Sequence, residues 1–211
     1  MTTGAHISHR FDEDLANLKD AVVAIAHRIA VRYGVATAPL LSGNQAPIAS
    51  WSHEDPEIER MQHIVEEICD LILVRRQPVA SDMRFVVACI RISNDLERLH
   101  AHTNKIAAAT ARIGSRDLGE LVRHHGLNRA LLLSHDMLQA ALQAFKSGDA
   151  ATRVIMQQQL TYMMEQPKTV ASAVEFMVIV RSIERIGDYA KNIAKLVKYM
   201  RLGRDTSQTQ T

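Results

Sequence analysis

Glu184, Asp188 and Asn192 follow one another at spacings of four, so a helix through them sets two carboxylates and an amide carbonyl in one row. Oxygen donors of this kind suit a hard or borderline cation. The same residues have a plainer reading. Arg181 and Arg185 flank Glu184, and Lys191 stands three residues from Asp188, which is how an ordinary salt-bridged helix face is built. Periodicity alone leaves both readings open, because nothing in it brings ligands from a second helix.

A related stretch lies upstream. Sliding the chain on itself by 87 residues places DLERLHAHTNKIA (95–107) on SIERIGDYAKNIA (182–194). Glu97 falls on Glu184, Arg98 on Arg185, and Ile106-Ala107 on Ile193-Ala194, while Leu96/Ile183 and Leu99/Ile186 keep their apolar type. Each copy follows a Gln-Pro break, at Gln77-Pro78 and Gln166-Pro167. Matches at helical spacing, in the third helix of each of two trios, argue for duplication. The first copy breaks the oxygen row: Ala101 stands where Asp188 does, and Lys105 where Asn192 does. Glu97 and His100 form a Glu-x-x-His step, a spacing used in di-iron bundles, but the chain holds no second step to complete such a site. His102 and Asn104 could add ligands, though surface polar residues are the safer reading, and His124, His125 and His135 share no ligand spacing.

The elements that must position these residues are helices. Leu15, Leu18, Val22, Ile25 and Ile29 predict a first helix over 12–32, ending near Gly34, and the proline-containing stretch 36–50 reads as a loop. Ser52, Asp55 and Pro56 predict the start of a second helix that runs to about Arg76. Ser81 is placed to cap a third over 82–113. A fourth is expected over 117–146, bent at Gly126 and stopped by Gly148; a short fifth over 150–165; and a sixth from a Thr169 cap to about Met200. The fold class expected is all-α, with two tandem three-helix bundles over 1–113 and 114–202 and a disordered polar tail at 203–211.

Composition agrees. Hydrophobic residues make up 47% and charged residues 23%, which excludes a disordered or fibrous chain, and only 4% are aromatic, which favours aliphatic helix packing over a β-sandwich. A net charge of +2, with cations interleaved among acids, points away from nucleic acid. Lys191, Lys195, Lys198, Arg201 and Arg204 read as a solvated helix C-terminus. Cys69 and Cys89 sit among apolar neighbours without CxxC spacing and read as small buried hydrophobes in a reducing compartment. The opening residues carry no signal peptide, and no stretch is read as approaching the ~20 apolar residues that span a bilayer, so a cytoplasmic protein without direct membrane insertion is expected. Walker-type glycine loops, GxSxG elbows and HExxH motifs are absent, which points away from an enzyme.

At these residues the sequence resembles the PhoU family, the phosphate-transport accessory and regulatory proteins of bacteria. The resemblance lies in QPVASDMRF (77–85) leading into SNDLERLHAHTNKIA, and in LTYMMEQPKTV (160–170) leading into RSIERIGDYAKNIA. Positions 184–194 are similar to the family's E-R-I-G-D with its downstream asparagine and I-A, and FDEDLANLKD resembles its first helix. The resemblance implies two pseudo-symmetric three-helix bundles, often assembled as a homodimer. It also implies that Glu184 and Asp188 belong to a carboxylate motif that holds iron, zinc or another divalent metal, magnesium or manganese included, in some members, with Asn192 beside it and Glu97 as the surviving half of the first copy. The implied function is non-enzymatic: negative control of high-affinity phosphate uptake and the phosphate-starvation response, through the ATPase subunit of the phosphate ABC transporter and the sensor histidine kinase. The chain also departs from the family. Ala101 and Lys105 remove donors from the first copy, the fifth helix is shortened, and Ala150 to Met164 carries no acidic residue. A metal-binding bundle with storage, redox or hydrolytic activity is the alternative, and a diverged paralogue serving another anion transporter is a third.

Overall fold

The computed structural model describes residues 3–76, 78, 80–113, 115–123, 125–148 and 173–202. Among the described residues it is all helical: α1 (Thr3–Ser42), a 3-10 turn (Ala46–Ile48), α2 (Pro56–Arg76), α3 (Ala80–Arg112), α4 (Ser115–Val122), α5 (His125–Ser147) and α6 (Ala173–Leu202). The expected fifth helix, its Gln166-Pro167 break, the Thr169 cap and the 203–211 tail lie outside the described residues.

α1 runs well past both predicted ends, and 36–42 is helix rather than loop. Gly34 and Pro39 together cost an exposed helix about 4 kcal/mol. Here Tyr33, Ala36 and Leu40 are fully buried, and each large side chain so buried contributes about 1.5–3 kcal/mol, enough to offset the two breakers. The Thr37 hydroxyl donates back to the Tyr33 carbonyl at 2.9 Å. The helix stops only at Gly43, whose φ of +75° lets its N–H reach the Pro39 carbonyl at 2.8 Å.

The start of α2 is also set differently from the expectation. Asp55, not Ser52, is the cap: Pro56 opens the helix, and the Asp55 carbonyl and carboxylate both take the Ile58 N–H. Ser52 turns its hydroxyl to the Glu54 carbonyl instead. α3 begins one residue before Ser81, which therefore lies inside its first turn. The expected fourth helix is two helices, α4 and α5, with the interruption just before Gly126 rather than a bend at it. Asn128 donates to the Val122 carbonyl at 2.7 Å, satisfying one of the groups that the end of α4 leaves open. Gly148, with φ +70°, ends α5 as predicted.

Among the described residues α3 and α6 form the most extensive helix pair, and they run antiparallel. Arg112, near the end of α3, grips Glu175, near the start of α6, at 2.7 and 2.8 Å. Further along, His102 meets Ser182 at 3.4 Å and packs with its ring tilted 40° against Tyr189, ring centroids 5.9 Å apart. His102 and Tyr189 are equivalent positions in the 87-residue repeat. Contact between a residue and its own repeat equivalent marks where the pseudo-two-fold axis passes.

α1 lies against α2, α3 and α5, and α5 against α6, so one continuous core joins both trios. Tyr33 ties α1 to α5 through a buried hydroxyl pair with Ser134 at 2.5 Å. Ser134 already donates to the Leu131 carbonyl, so the tyrosine is the donor. By length and composition alone, α1 over Arg10–Ser42 is apolar enough to cross a membrane, contrary to the sequence expectation. Its apolarity has another cause here: Leu18, Val22, Ile25, Ile29, Tyr33 and Leu40 are completely buried against other helices.

Candidate functional site on the paired repeat helices

α6 presents the predicted row. Glu184 and Asn192 are exposed, Asp188 is half-buried, and Arg185 approaches Asp188 at a loose 3.8 Å. Glu97 sits elsewhere, on α3 facing α2, in a shallow groove with Glu59, Gln62, His63 and Glu66. Among the described residues no group of three or more His, Cys, Asp or Glu side chains is gathered closely enough to hold a metal ion. Three donors from one helix do not close the six- to eight-oxygen shell of a hard cation. The described donors therefore do not by themselves fit a metal, and the residues predicted to form the helix beside this row lie outside the described residues.

The second Glu-x-x-His member, His100, belongs to a different assembly, one without a local sequence signal. Asp55, at the start of α2, takes Arg28 Nη2 at 2.8 Å and Arg28 Nε at 3.1 and 3.2 Å; Arg32 Nη1 stands 3.1 Å from its other oxygen. Burial raises the Asp55 pKa, but the Arg28 hydrogen bonds and the two guanidinium charges outweigh it, and the carboxyl is held below its ordinary value. Arg32 lies over the Trp51 ring at 4.1 Å and donates to the Ser52 carbonyl at 2.7 Å and toward Asn104 Oδ1 at 3.4 Å. Asn104 Nδ2 in turn donates to the His53 carbonyl at 2.8 Å and stands 3.3 Å from His100 Nε2. An amide nitrogen only donates, so Nε2 accepts and the His100 proton sits on Nδ1. Burial and then the Arg32 charge lower the His100 pKa, so the ring is neutral at pH 7. Asn104 is thus a tether for the 43–55 connection, and His102 a repeat-axis contact, rather than free surface polar groups. Gln45 fastens the other end of that connection, donating to the Ile113 carbonyl at 2.7 Å.

Three further side chains are buried without chemistry attached. Asp95, 8% exposed, is equivalent to Ser182 in the repeat; burial raises its pKa and only Arg98 counters. Cys69 and Cys89 are free and buried, as expected, and burial pushes the Cys69 thiol up to about 12 and the Cys89 thiol higher still.

The geometry is a duplicated helical scaffold, joined through its own repeat helices. The PhoU domain family model matches this chain at residues 36–110 and again at 127–197. The chain belongs to the PhoU family. The two matched segments end at 110 and 197, the same 87-residue offset that relates Glu97 to Glu184. The "phosphate-specific transport system accessory protein PhoU homolog" of Pseudomonas aeruginosa is 30% identical over 219 residues, spanning 95% of this chain and 88% of that protein. The Escherichia coli accessory protein PhoU is 28% identical over 218 residues, spanning 97% and 90%. The crystal structure of PhoU from Pseudomonas aeruginosa superposes with a TM-score of 0.74 at 28% identity over 92% of this chain and all of that one. The phosphate transport system regulatory protein PhoU of Streptococcus pneumoniae, at 24% identity and a TM-score of 0.78, shares the fold over 92% of this chain and 98% of its own.

Proposed function

We propose that this PhoU-family protein is a non-enzymatic regulator of phosphate transport, restraining high-affinity uptake and keeping the phosphate-starvation response off when phosphate is ample. The observation that carries the reading is the duplicated match to the PhoU domain, together with matches over 95–97% of this chain to proteins named as phosphate-specific transport system accessory proteins. The regulator acts from the cytoplasm, as a homodimer, on the ATPase subunit of the phosphate ABC transporter and on the sensor histidine kinase of the phosphate two-component system. A scaffold of two similar bundles suits the bridging of two partners. Affinity capture of the tagged protein from cells grown in high phosphate tests this. Recovery of both the ATPase subunit and the kinase supports it, and recovery of neither after crosslinking contradicts it.

A second reading has one supporting observation: among the described residues, the Glu184 carboxylate is exposed and makes no ion pair. In it, Glu184, Asp188 and Asn192 hold a divalent cation with donors from another helix, and Glu97 serves the first copy. Metal analysis of the purified protein against Glu184→Ala/Asp188→Ala decides it: equal metal content in both removes the reading.

A further inference from the structure

Three carboxylates share the groove between α2 and α3: Glu59 and Glu66 from α2 and Glu97 from α3, around a cavity of about 240 Å³. Among the described residues no lysine or arginine lines it, and His63, 3.4 Å from Glu66, is the one side chain there able to carry positive charge. Elsewhere the chain meets its gripped carboxylates with arginine: Asp55 with Arg28 and Arg32, Glu57 with Arg60, and Glu175 with Arg112. Glu59 and Glu97 have no such partner among the described residues, although Arg60 and Arg98 directly follow them in sequence. Arg60 is held by Glu57, and Arg98 acts on Asp95. We propose that this groove receives an arginine side chain carried on a basic segment of a partner protein.

Ser93 adds an observation independent of the acids. It is only 6% exposed, yet it lines the same cavity, and its hydroxyl has no hydrogen-bond partner among the described residues. Gln62 and Asn94 line the cavity too, each with a side-chain carbonyl to offer. Carboxylates only accept hydrogen bonds, so this lining calls for a cation with several donors. A hard metal ion needs its oxygens about 2.0–2.6 Å from one point, and the acids and His63 are not gathered closely enough to hold one. A lysine ammonium is a compact, strongly hydrated point charge. A guanidinium holds five N–H groups in a planar fork, is more weakly hydrated, and can take a carboxylate by two bonds at once, so it spans acceptors that an ion cannot gather. The acidic surface is also longer than one side chain. Glu59, Glu66, Glu67 and Asp70 are all exposed along α2, over about 16 Å of helix, and such a line steers a basic segment toward the groove. The inference rests on the regulatory reading only in taking that segment to belong to a protein partner, and it gives Glu97 to partner recognition rather than to a metal.

Titration of the full chain with an acetylated, amidated tetra-arginine peptide tests the proposal, read by calorimetry and by the side-chain amide resonances of Gln62 and Asn94. Tetra-lysine at the same ionic strength and magnesium chloride are the parallel arms. Saturable binding that shifts both amides is expected, with tetra-lysine at least tenfold weaker. Glu59→Gln/Glu97→Gln, which alters two exposed side chains, should weaken the arginine peptide at least tenfold with far-UV circular dichroism unchanged. Glu120→Gln/Asp136→Asn makes the same charge change on exposed positions of α4 and α5 and should bind as wild type. No saturation up to millimolar peptide, equal affinity for tetra-lysine, or an equal loss in the two double variants overturns the proposal. Saturation of the same amide shifts by magnesium, with the peptide excluded, hands the groove to a metal and also overturns it. Crosslinked capture from cells grown in high phosphate then reads the partner. Loss of the transporter ATPase subunit or the kinase in Glu59→Gln/Glu97→Gln, with both recovered by wild type, supports the proposal, and undiminished capture of both overturns it. Should wild type capture neither, the regulatory reading falls, while the peptide titration still decides the groove.

Discussion

Replacing Asp55 by alanine removes a helix cap and a shared counterion in one step, and the two costs can be separated. Loss of the cap costs α2 about 1 kcal/mol. Arg28 is 41% exposed, so its half of the ion pair is worth no more than a surface pair, about 0–1 kcal/mol. Arg32 is only 18% exposed and keeps its charge after the counterion is gone, which costs about 1–2 kcal/mol. The sum for Asp55→Ala is about 2–4 kcal/mol. Asp55→Asn keeps a side-chain oxygen for the Ile58 N–H and is expected to lose about 1 kcal/mol less. Urea unfolding followed by circular dichroism reads both variants; at an m-value of about 2 kcal/mol/M, the alanine variant's midpoint falls by about 1–2 M. The pH dependence has a definite sign. The folded Asp55 pKa is depressed, so its charge contributes stability above the unfolded value of about 4 and loses it as pH falls through the folded pKa. The gap between wild type and Asp55→Asn should therefore be full at pH 7 and close below about pH 4. A loss under about 0.5 kcal/mol for Asp55→Ala, or a gap that widens in acid, would refute the reasoning.

Asp95 gives the opposite sign: its folded pKa is raised, so its charge destabilises at neutral pH, and Asp95→Ser, which copies Ser182, should stabilise by on the order of 1 kcal/mol at pH 7 with the gain fading toward pH 4 in thermal melts. Both thiols should resist a disulfide reagent in the native protein at pH 8 and titrate fully in denaturant; rapid native labelling of Cys69 would contradict its burial. Gly43→Ala should cost about 1–2 kcal/mol in chemical denaturation, through backbone conformation alone, because the added Cβ would meet Val122 at an ordinary 3.6 Å.

Much of the fold was legible because helix periodicity is local. Ile58, Val65, Cys69 and Ile72 on α2, and Cys89, Ile92, Leu96, Leu99 and Ile106 on α3, are buried at the spacing their sequence shows. The departures from local expectation share a cause. Gly34 and Pro39 are local breakers, and only tertiary burial of Leu40 and Ala36 against other helices overrides them. The Arg28–Asp55 pair spans 27 residues and leaves no periodic trace. Hydropathy alone likewise cannot tell a core helix packed, among the described residues, against α2, α3, α4 and α5 from a membrane span, which is why α1 meets the length and composition test. The repeat itself carries one long-range signal: in the 87-residue alignment His102 falls on Tyr189, and a residue at the repeat axis is free to touch its own equivalent. The carboxylate row on α6 was legible as spacing, but coordination needs donors from other elements, and spacing on one helix carries no information about those.

The regulatory account is tested most directly in a strain lacking this protein, grown in high phosphate, by measuring transcripts of the phosphate-starvation genes. The account predicts that they rise to starvation levels and fall again when the wild-type chain is restored. Continued repression in the deletion strain would contradict it.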